Sequence, residues 1–325
     1  TTQLITSGRR MDTRTNSLVI GFILEGLIDQ LELQLPLFFL FLLINMVSTV
    51  GNLGLVLLIM TSSQLHTPMY YFLSNLSVID LCYTSVIITK MLVNFISENF
   101  TFFPECMTQL FFFCFFVLDD SYMLTAMAYN SYVACNPMLY NVKMSHRVCV
   151  MLVSSVYIVW VFGGLVHISY ISNHSFCGTN IIHLYFCDIL PLLSISCRDY
   201  TKEFLVMTFI ELSVFACALA IFFSYGFILS SILCIHSAEG RSKAFSTCSS
   251  HLAAIGVFYG SIIFMYFKPL STCGTAQEKV ASVFYTAVIL MLNPLIYRVR
   301  NKDVKETLKK SLNSSFRVLP QHSML

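Results

Sequence analysis

Charged residues are scarce in this sequence. Asp, Glu, Lys and Arg make up only 11% of its 325 residues, whereas hydrophobic residues make up 56%. A soluble globular chain carries roughly 25% charged residues, so this chain has too few charges to cover a water-facing surface. The composition therefore excludes an ordinary soluble protein.

Charges are also absent from long continuous stretches. No acidic or basic residue occurs in residues 33–79, 148–187, 244–267 or 280–297. A helix needs roughly 20 apolar residues to cross the hydrocarbon core of a bilayer. The apolar runs predict seven membrane-spanning helices, near residues 33–60, 69–96, 103–134, 147–171, 204–235, 245–267 and 280–298. Because the runs are continuous and do not alternate with polar residues, they argue against a membrane β-barrel.

The patterns of catalysis and metal binding are missing as well. The sequence contains no nucleophile elbow, phosphate-binding glycine loop or paired catalytic set, and its histidines lack metal-ligand spacing. It also has no internal repeat of the kind found in transporters. We therefore expect neither an enzyme nor a channel or transporter, and no nucleic-acid partner.

Lysines and arginines are concentrated at one end of the predicted helices, in short loops and in the C-terminal segment. Such loops stay in the cytoplasm during insertion, so we expect the C-terminus inside and, after seven spans, the N-terminus outside. The chain then divides into an extracellular tail (1–32), a seven-helix domain (33–300) and a cytoplasmic short helix with a tail (301–325). The tail has no recognisable cleavable signal peptide, so the first span is expected to direct insertion.

Four cysteines lie on the predicted outer face. Cys106 opens the third helix, and Cys177, Cys187 and Cys197 lie in the long loop before the fifth helix. Thiols in an oxidising compartment tend to form disulfides. Four thiols favour two disulfides, which the spacing alone leaves in three alternative pairings.

Several motifs are typical of one receptor family. They are LHTPMYYFLSNLS at 65–77, KAFSTCSSHL at 243–252, LNPLIY at 292–297 and RNKDVK at 300–305. Gly51-Asn52, Phe258-Tyr259-Gly260 and the loop with three cysteines accompany them. On these residues the sequence resembles an odorant (olfactory) receptor of the rhodopsin-like G-protein-coupled class, from about residue 18 to 310.

The resemblance implies a fold and a function. It implies an all-α bundle of seven transmembrane helices with a short amphipathic eighth helix, in the plasma membrane. It further implies that the chain binds small, volatile, mostly apolar odorants and couples to a stimulatory, olfactory-type G protein that raises cAMP. The disulfides it implies are Cys106–Cys187 and Cys177–Cys197.

A ligand pocket is expected in the outer half, between the third, fifth, sixth and seventh helices. Small apolar ligands favour pockets lined by apolar side chains with few polar anchors. Matching positions along the family pattern suggests ten lining residues: Phe113, Cys114, Val117, Leu118, Phe209, Ser213, Tyr259, Ile262, Ile263 and Thr286. For each of them, simple packing between helices is the alternative interpretation.

Asp80 is a lone carboxylate midway along the second helix. Ionisable residues inside a span are costly and usually functional. Its expected partners at similar depth are Asn52, Asp120 and Asn293, a set that resembles the sodium pocket of rhodopsin-like receptors. Two protonated or proton-sharing acids between helices are the alternative. Asp119 has no counterpart in the family, and it is expected to turn toward a neighbouring helix or to stay protonated.

Pro294 in the seventh helix removes a backbone hydrogen bond and predicts a kink beside Asn293 and Tyr297. The resemblance implies that this hinge moves on activation. It also implies that Tyr225 and Tyr297 then swing toward the inner end of the third helix. A purely structural kink is the alternative.

The inner end of the third helix departs from the family pattern MAYDRYVAIC. This chain reads MAYNSYVAC at 127–135, so Asn130 and Ser131, which precede Tyr132, replace the acid and the arginine. One residue is also missing between Ala134 and Cys135. The family arginine exchanges an intramolecular partner for the G protein, and serine has neither its reach nor its charge. We therefore expect weak or absent signalling, and a decayed receptor that binds ligand or oligomerises without signalling is the alternative function.

Two peripheral features complete the sequence prediction. The tail sequon usual in the family is broken, because Leu18 stands two residues after Asn16, and the usable sequons are Asn173 and Asn99. Poor delivery to the surface is expected to follow. Residues 302–310 form a basic, amphipathic segment that is expected to lie on anionic membrane lipid.

Overall fold

The protein was analysed as a computed structural model. The structure describes residues 21–27, 31–96, 100–135, 140, 142–172, 176, 180–196, 201–266, 279, 283 and 304–310.

Six long helical segments follow the first six predicted spans. The first is α1 (Leu31–Thr61). The second is continuous and consists of α2 (Pro68–Tyr83), a π-helical turn (Thr84–Ile88) and α3 (Thr89–Ile96). The other four are α4 (Phe103–Ala134), α5 (His146–Ser172), α7 (Thr201–Leu233) and α8 (Ala238–Tyr266), and a six-residue helix, α6 (Ile189–Ser194), precedes α7. Five of the long segments are apolar and long enough to cross a membrane, and α8 contains a shorter apolar stretch, His251–Phe264. The predicted seventh span lies outside the described residues, except for the helical Val283.

Prolines begin the helices of the second and third spans, and two hydroxyl groups bond to the backbone within the second span. Pro68 and Pro104 lie in the first turns of α2 and α4, where the fixed φ of proline suits a helix start. Within the second span, the Thr84 and Ser85 hydroxyls donate to the carbonyls of Asp80 and Leu81 at 2.7 and 2.8 Å. The π-helical turn begins there, and such turns are frequent at functional sites.

The third span, α4, is the centre of the bundle. It packs against α2, α5 and α7, and 56% of its apolar segment is buried, compared with 18% for α5. The outward faces of α1, α5 and α7 carry many exposed apolar side chains, such as Leu35, Phe162 and Phe222. Exposed apolar faces of this length suit lipid rather than water.

A small sheet covers part of the outer end. Strand β1 (Gly21–Leu24) pairs antiparallel with β2 (Phe100–Phe102) and parallel with β3 (Ile181–Ile182). Phe22 is fully buried between the rings of Phe103 and Phe176, at 6.1 and 5.4 Å. A Cβ on Gly21 would lie 2.5 Å from the Thr101 carbonyl oxygen, so the close strand approach requires glycine there. The N-terminal tail therefore contains a strand that the sequence analysis did not predict.

Candidate functional site

The loop between α5 and α7 forms a buried plug at the outer end. The disulfide between Cys106 and Cys187 is present, with the two Cα atoms 5.4 Å apart. Residues 184–189, which we call the roof, are each at most 5% exposed. The Cys187 amide donates to Gln109 Oε1 at 3.2 Å, and the Phe186 ring lies 5.3 Å from that of Phe113. The roof is thereby fixed to the outer end of the third span.

The second implied disulfide lies outside the described residues. Neither Cys177 nor Cys197 is among the described residues. Their sequence neighbours Phe176 and Ser196, however, pair as an isolated antiparallel bridge. The bridge brings Phe176 and Ser196 together, which is compatible with the Cys177–Cys197 pairing. That pairing stays a prediction.

Packing loosens from the inner half to the outer half between α4, α7 and α8. In the inner half, Ile221, Tyr225 and Ile228 of α7 form a buried cluster with Ile255 and Phe258 of α8 and with α4. The same faces of the helices become only half-buried nearer the roof. The half-buried side chains are Ile210, Ser213 and Val214 on α7 and Tyr259 and Ile262 on α8. Inward-facing side chains that are incompletely packed leave room for a small ligand.

The structure divides nine of the ten expected ligand residues into three groups. Phe113 and Leu118 are buried, and a second group is half-buried along the inner faces just described. That second group consists of Cys114, Val117, Ser213, Tyr259 and Ile262. Phe209 and Ile263 lie on the outer helix surfaces, 67% and 55% exposed. Each is one residue away from a half-buried position, Ile210 or Ile262, and one residue along a helix turns the side chain by about 100°. Thr286 lies outside the described residues.

Tyr259 is anchored to the third span. Its hydroxyl and that of Ser121 are hydrogen-bonded at 3.0 Å, and Ser121 is fully buried. Tyr122, the next residue, interacts with Ser213 of α7. The floor of the outer half therefore connects α4 to both α7 and α8 through hydroxyl groups. Glu211, in contrast, lies exposed on the outside of α7.

A second polar site lies deeper, between α1, α2 and α4. Asn52, Asp80 and Asp120 are 0%, 1% and 7% exposed, and the two carboxylates are close enough to interact electrostatically. Asn52 Nδ2 donates to Ser48 Oγ at 3.4 Å, and Ser48 Oγ lies 3.3 Å from Thr84 Oγ1. Asp80 and Asp120 thus come together, and Asn52 is linked to the turn after Asp80 through Ser48 and Thr84. Asn293 lies outside the described residues.

The oxygen atoms of this polar site are a donor set of the kind that binds hard cations. The Oδ1 atoms of Asn52 and Asp120 are buried and accept no hydrogen bond from the part of the chain that the structure describes. Carboxylate and amide oxygens are the ligands that hard cations prefer. In the described ranges no group of three or more His, Cys, Asp and Glu side chains is arranged to hold a metal ion. The described part of the site therefore offers two carboxylates and one amide oxygen to a cation.

Asp119 faces away from this polar site. It is fully buried, and neither carboxylate oxygen has a hydrogen-bond partner among the described residues. It lies close enough to Tyr157 of α5 to interact electrostatically, while the Tyr157 hydroxyl donates to Asn75 Oδ1 at 3.3 Å. The side chain therefore turns toward a neighbouring helix, one of the two arrangements expected from the sequence.

The inner end of α4 is held by neutral groups. Asn130 is 3% exposed, and its Oδ1 accepts a hydrogen bond from the Tyr140 hydroxyl at 3.1 Å. The Ser131 hydroxyl donates to the Met127 carbonyl of its own helix at 3.0 Å, so it reaches no neighbouring helix. Tyr132 is 38% exposed, with its ring 5.8 Å from that of Phe227. Neither substituted position presents a charge.

The fifth and sixth spans meet through Tyr225 and His251. Both side chains are buried, and the Tyr225 hydroxyl is hydrogen-bonded to Nδ1 of His251.

Helix α4 ends at Ala134, and the Cys135 amide closes its last turn on the Tyr132 carbonyl at 3.1 Å. The missing residue therefore falls at the end of the helix, after its last regular turn. Asn293, Pro294 and Tyr297 of the expected hinge lie outside the described residues.

The peripheral predictions have mixed outcomes. Residues 304–310 are helical, with Val304 buried and Lys305, Lys309 and Lys310 exposed, which is the expected amphipathic arrangement. The sequons at Asn99 and Asn173 lie outside the described residues.

Sequence reasoning missed several residues of these sites, which are Ser48, Thr84, Ser121, Tyr140 and His251. Two of them carried a signal, because Ser48 precedes Asn52 and Thr84 follows Asp80 by four residues, and such pairs share a helix face. The other three contact residues far away in the sequence, and nothing local marks those contacts.

Comparison with known proteins gives concordant matches. A family model described as "Olfactory receptor" matches residues 41–315. The chain is 55% identical to olfactory receptor 8A1 of Homo sapiens over 307 residues, 94% of each chain. It is 55% identical to olfactory receptor 8B3 of Homo sapiens, covering 93% of this chain and 97% of that protein. Squid rhodopsin, at 17% identity and a TM-score of 0.63, covers 91% of this chain and 90% of its own, and shares the fold.

Proposed function

We propose that this chain, which belongs to the olfactory receptor family, binds small, volatile, mostly apolar odorants in its outer half and couples only weakly to its G protein. Family membership makes it a multi-pass plasma-membrane receptor of the rhodopsin fold, and a signalling receptor rather than an enzyme. The proposal concerns what this particular chain recognises and how well it signals.

The looser packing beneath the roof is the observation that carries the ligand proposal. Side chains of α7 and α8 that are fully buried in the inner half give way to half-buried ones in the outer half. The lining is mostly apolar, and Ser213 and the Ser121–Tyr259 pair supply hydroxyl groups. Such a site favours an apolar ligand with one carbonyl or hydroxyl group.

Tyr259 offers a route from ligand to activation. A ligand that pushes on this ring must strain or break the hydrogen bond to Ser121, and so bias α8 against α4. We further propose that Asp80, Asp120 and Asn52, with Asn293, hold a sodium ion that favours the resting packing. The ion would supply positive charge to two buried carboxylates that cannot both ionise cheaply without it.

The proposed orientation has the N-terminus outside and the C-terminus in the cytoplasm. The basic loops and the lysines of residues 304–310 then face the cytoplasm and its anionic lipid. The G-protein surface lies at the inner end of α4, and the proposed partner is a stimulatory G protein that raises cAMP.

Coupling is proposed to be impaired because Asn130 and Ser131 hold neutral, local hydrogen bonds. Neither side chain can extend a positive charge toward a G protein, as arginine does. The same observation favours a second candidate function, a receptor-fold protein that binds ligand or oligomerises without signalling.

A restored variant tests the proposal. It carries Asn130→Asp, Ser131→Arg and an isoleucine inserted between Ala134 and Cys135, and it is screened beside the original chain for cAMP. The panel contains volatile aldehydes, alcohols, ketones and esters, and surface staining normalises expression. A matched control carries Asn130→Asp and the inserted isoleucine, but Ser131→Met in place of Ser131→Arg. Methionine lengthens the side chain at this position without adding a charge.

We expect odorant responses in the restored form and weak or absent responses in both the original chain and the methionine control. Equal responses in all three would refute impaired coupling. Silence of all three at equal surface density would count against detection of these odorant classes.

A further inference from the structure

Glu25, which follows strand β1, lies at a junction of three extracellular segments. Its amide donates to the Ile182 carbonyl at 2.8 Å. Its Oε2 lies 3.1 Å from Lys279 Nζ, at the outer end of the seventh span, and 3.2 Å from His183 Nδ1. One residue of the tail thus contacts both the loop that forms the roof and the last span.

The tail supplies two acceptors to Lys279. Its side chain is only 11% exposed, and Nζ donates to the Gly26 carbonyl at 3.0 Å as well as to Glu25. A largely buried ammonium group is costly unless it is paired. The Glu25 carboxylate is ionised at neutral pH. Partial burial opposes ionisation of Glu25, but the hydrogen bonds and charges of Lys279 and His183 outweigh it, and the pKa of Glu25 is lowered.

Continuous contacts lead from Glu25 to the ligand region. Strand β1 pairs with β3 in the register Ile23↔Ile181 and Leu24↔Ile182. The chain runs from β3 directly into the roof, where Phe186 packs against Phe113. A displacement of the tail strand therefore loosens the segment that covers the outer half of the bundle.

We propose that Glu25 is a positioning residue for ligand recognition, which clamps the roof to the outer end of the seventh span through Lys279 and His183. It touches no ligand, and it acts by setting how often the roof opens and hence how long a ligand stays. The inference rests on the proposed function in one respect only, namely that the odorant lies beneath the roof.

The first experiment needs no odorant. Hydrogen exchange of residues 182–189 is followed in the full receptor in lipid nanodiscs, for the original chain and for Glu25→Gln. The matched control is Glu105→Gln, which breaks another extracellular ion pair, Lys90–Glu105 at 2.8 Å, with the glutamate 48% exposed. We expect exchange in the roof to rise roughly threefold to tenfold in Glu25→Gln and to stay unchanged in Glu105→Gln.

Charge reversal separates a specific pair from a general loss of structure. Glu25→Lys alone should open the roof further, because it places two positive charges together. Adding Lys279→Glu should recover most of the protection. Equal exchange in Glu25→Gln and Glu105→Gln, or no recovery in the double reversal, would overturn the proposal.

A second readout distinguishes positioning from simple destabilisation. In the receptor with the restored third-span sequence, the decay of cAMP signalling is timed after washout of the panel odorant that gives the largest response. Glu25→Gln should shorten the decay several-fold at unchanged maximal response. A lowered maximum with unchanged decay would contradict a clamp on ligand release. If no odorant responds, the hydrogen-exchange result still decides the role of Glu25.

Discussion

The two ends of this receptor are held together by different kinds of interaction. The outer end has a disulfide, a three-stranded sheet and ion pairs such as Glu25–Lys279. The inner end has hydrogen bonds, from Tyr140 to Asn130 on the third span and between Tyr225 of the fifth span and His251 of the sixth. The departures from the family pattern that remove charge, at Asn130 and Ser131, lie at the inner end. Under the proposed function, the contrast is between a ligand side that keeps its crosslinked framework and a coupling side where Asn130 and Ser131 carry no charge.

The largest expected effect is on the outer framework. Cys187→Ser removes a crosslink between residues 81 positions apart, and loss of such a disulfide costs roughly 2–5 kcal/mol. We expect little receptor at the cell surface and a large fall in thermal stability. Cys234→Ser, at an exposed free cysteine, is the control and should behave like the original chain. Normal surface staining of Cys187→Ser would show that the outer end does not depend on the crosslink.

The two neighbouring acids of α4 should respond oppositely. Asp119→Ala removes a buried carboxyl without hydrogen bonds from any described residue, so we expect a gain in stability of about 1–3 kcal/mol. Asp120→Ala removes a proposed sodium ligand. Thermal stability is compared in sodium chloride and in choline chloride. The sodium-dependent difference should persist in Asp119→Ala and vanish in Asp120→Ala, and the reverse pattern would contradict the assignment.

The hydrogen bond from Tyr140 to Asn130 should be weak in the original chain and stronger when Asn130 is replaced by Asp. Tyr140→Phe leaves buried Asn130 Oδ1 without its donor at 3.1 Å, which costs about 1 kcal/mol for neutral groups. In an Asn130→Asp background the acceptor is charged, and the cost should roughly double. Thermal melts of the four combinations give the coupling. Identical costs in both backgrounds would show that this end does not distinguish amide from carboxylate.

The smallest effect is the acid dependence of the outer clamp. Because the pKa of Glu25 is lowered from 4.5 in the folded receptor, its ionised form contributes stability above pH 4.5. That contribution disappears as the pH falls through the lowered value. The difference in melting temperature between the original chain and Glu25→Gln should therefore be constant from neutral pH to about 5 and shrink below that. A difference that grows on acidification would contradict the ion pair.

Sequence predicted the membrane helices well because apolar length is a local property. The third span was predicted over 103–134, and α4 has those bounds. The sixth span was predicted from 245, whereas α8 begins at Ala238. Its first turns carry Glu239, Arg241 and Lys243, so hydropathy marks the apolar part of the helix and misses its charged first turns.

The sites were predicted in part, for reasons that depend on distance along the chain. Asp80 and Asp120 come together as expected, and Asn52 is linked to the turn after Asp80, since lone polar residues in apolar helices seek partners at the same depth. Strand β1 escaped prediction because its partners lie about 80 and 160 residues away, and short strands depend on such pairing. The contacts of Tyr140 and His251 are equally remote in sequence.

The most direct test of the contrast measures both ends in one preparation. The original chain and the restored variant are purified and incubated with the same active odorant. Thermal stabilisation by the odorant reports binding, and nucleotide exchange on a purified stimulatory G protein reports coupling. Equal stabilisation of both forms, with rapid exchange only in the restored variant, is the predicted result. Exchange by the original chain as fast as that of the restored variant would contradict an intact ligand side joined to an impaired coupling side.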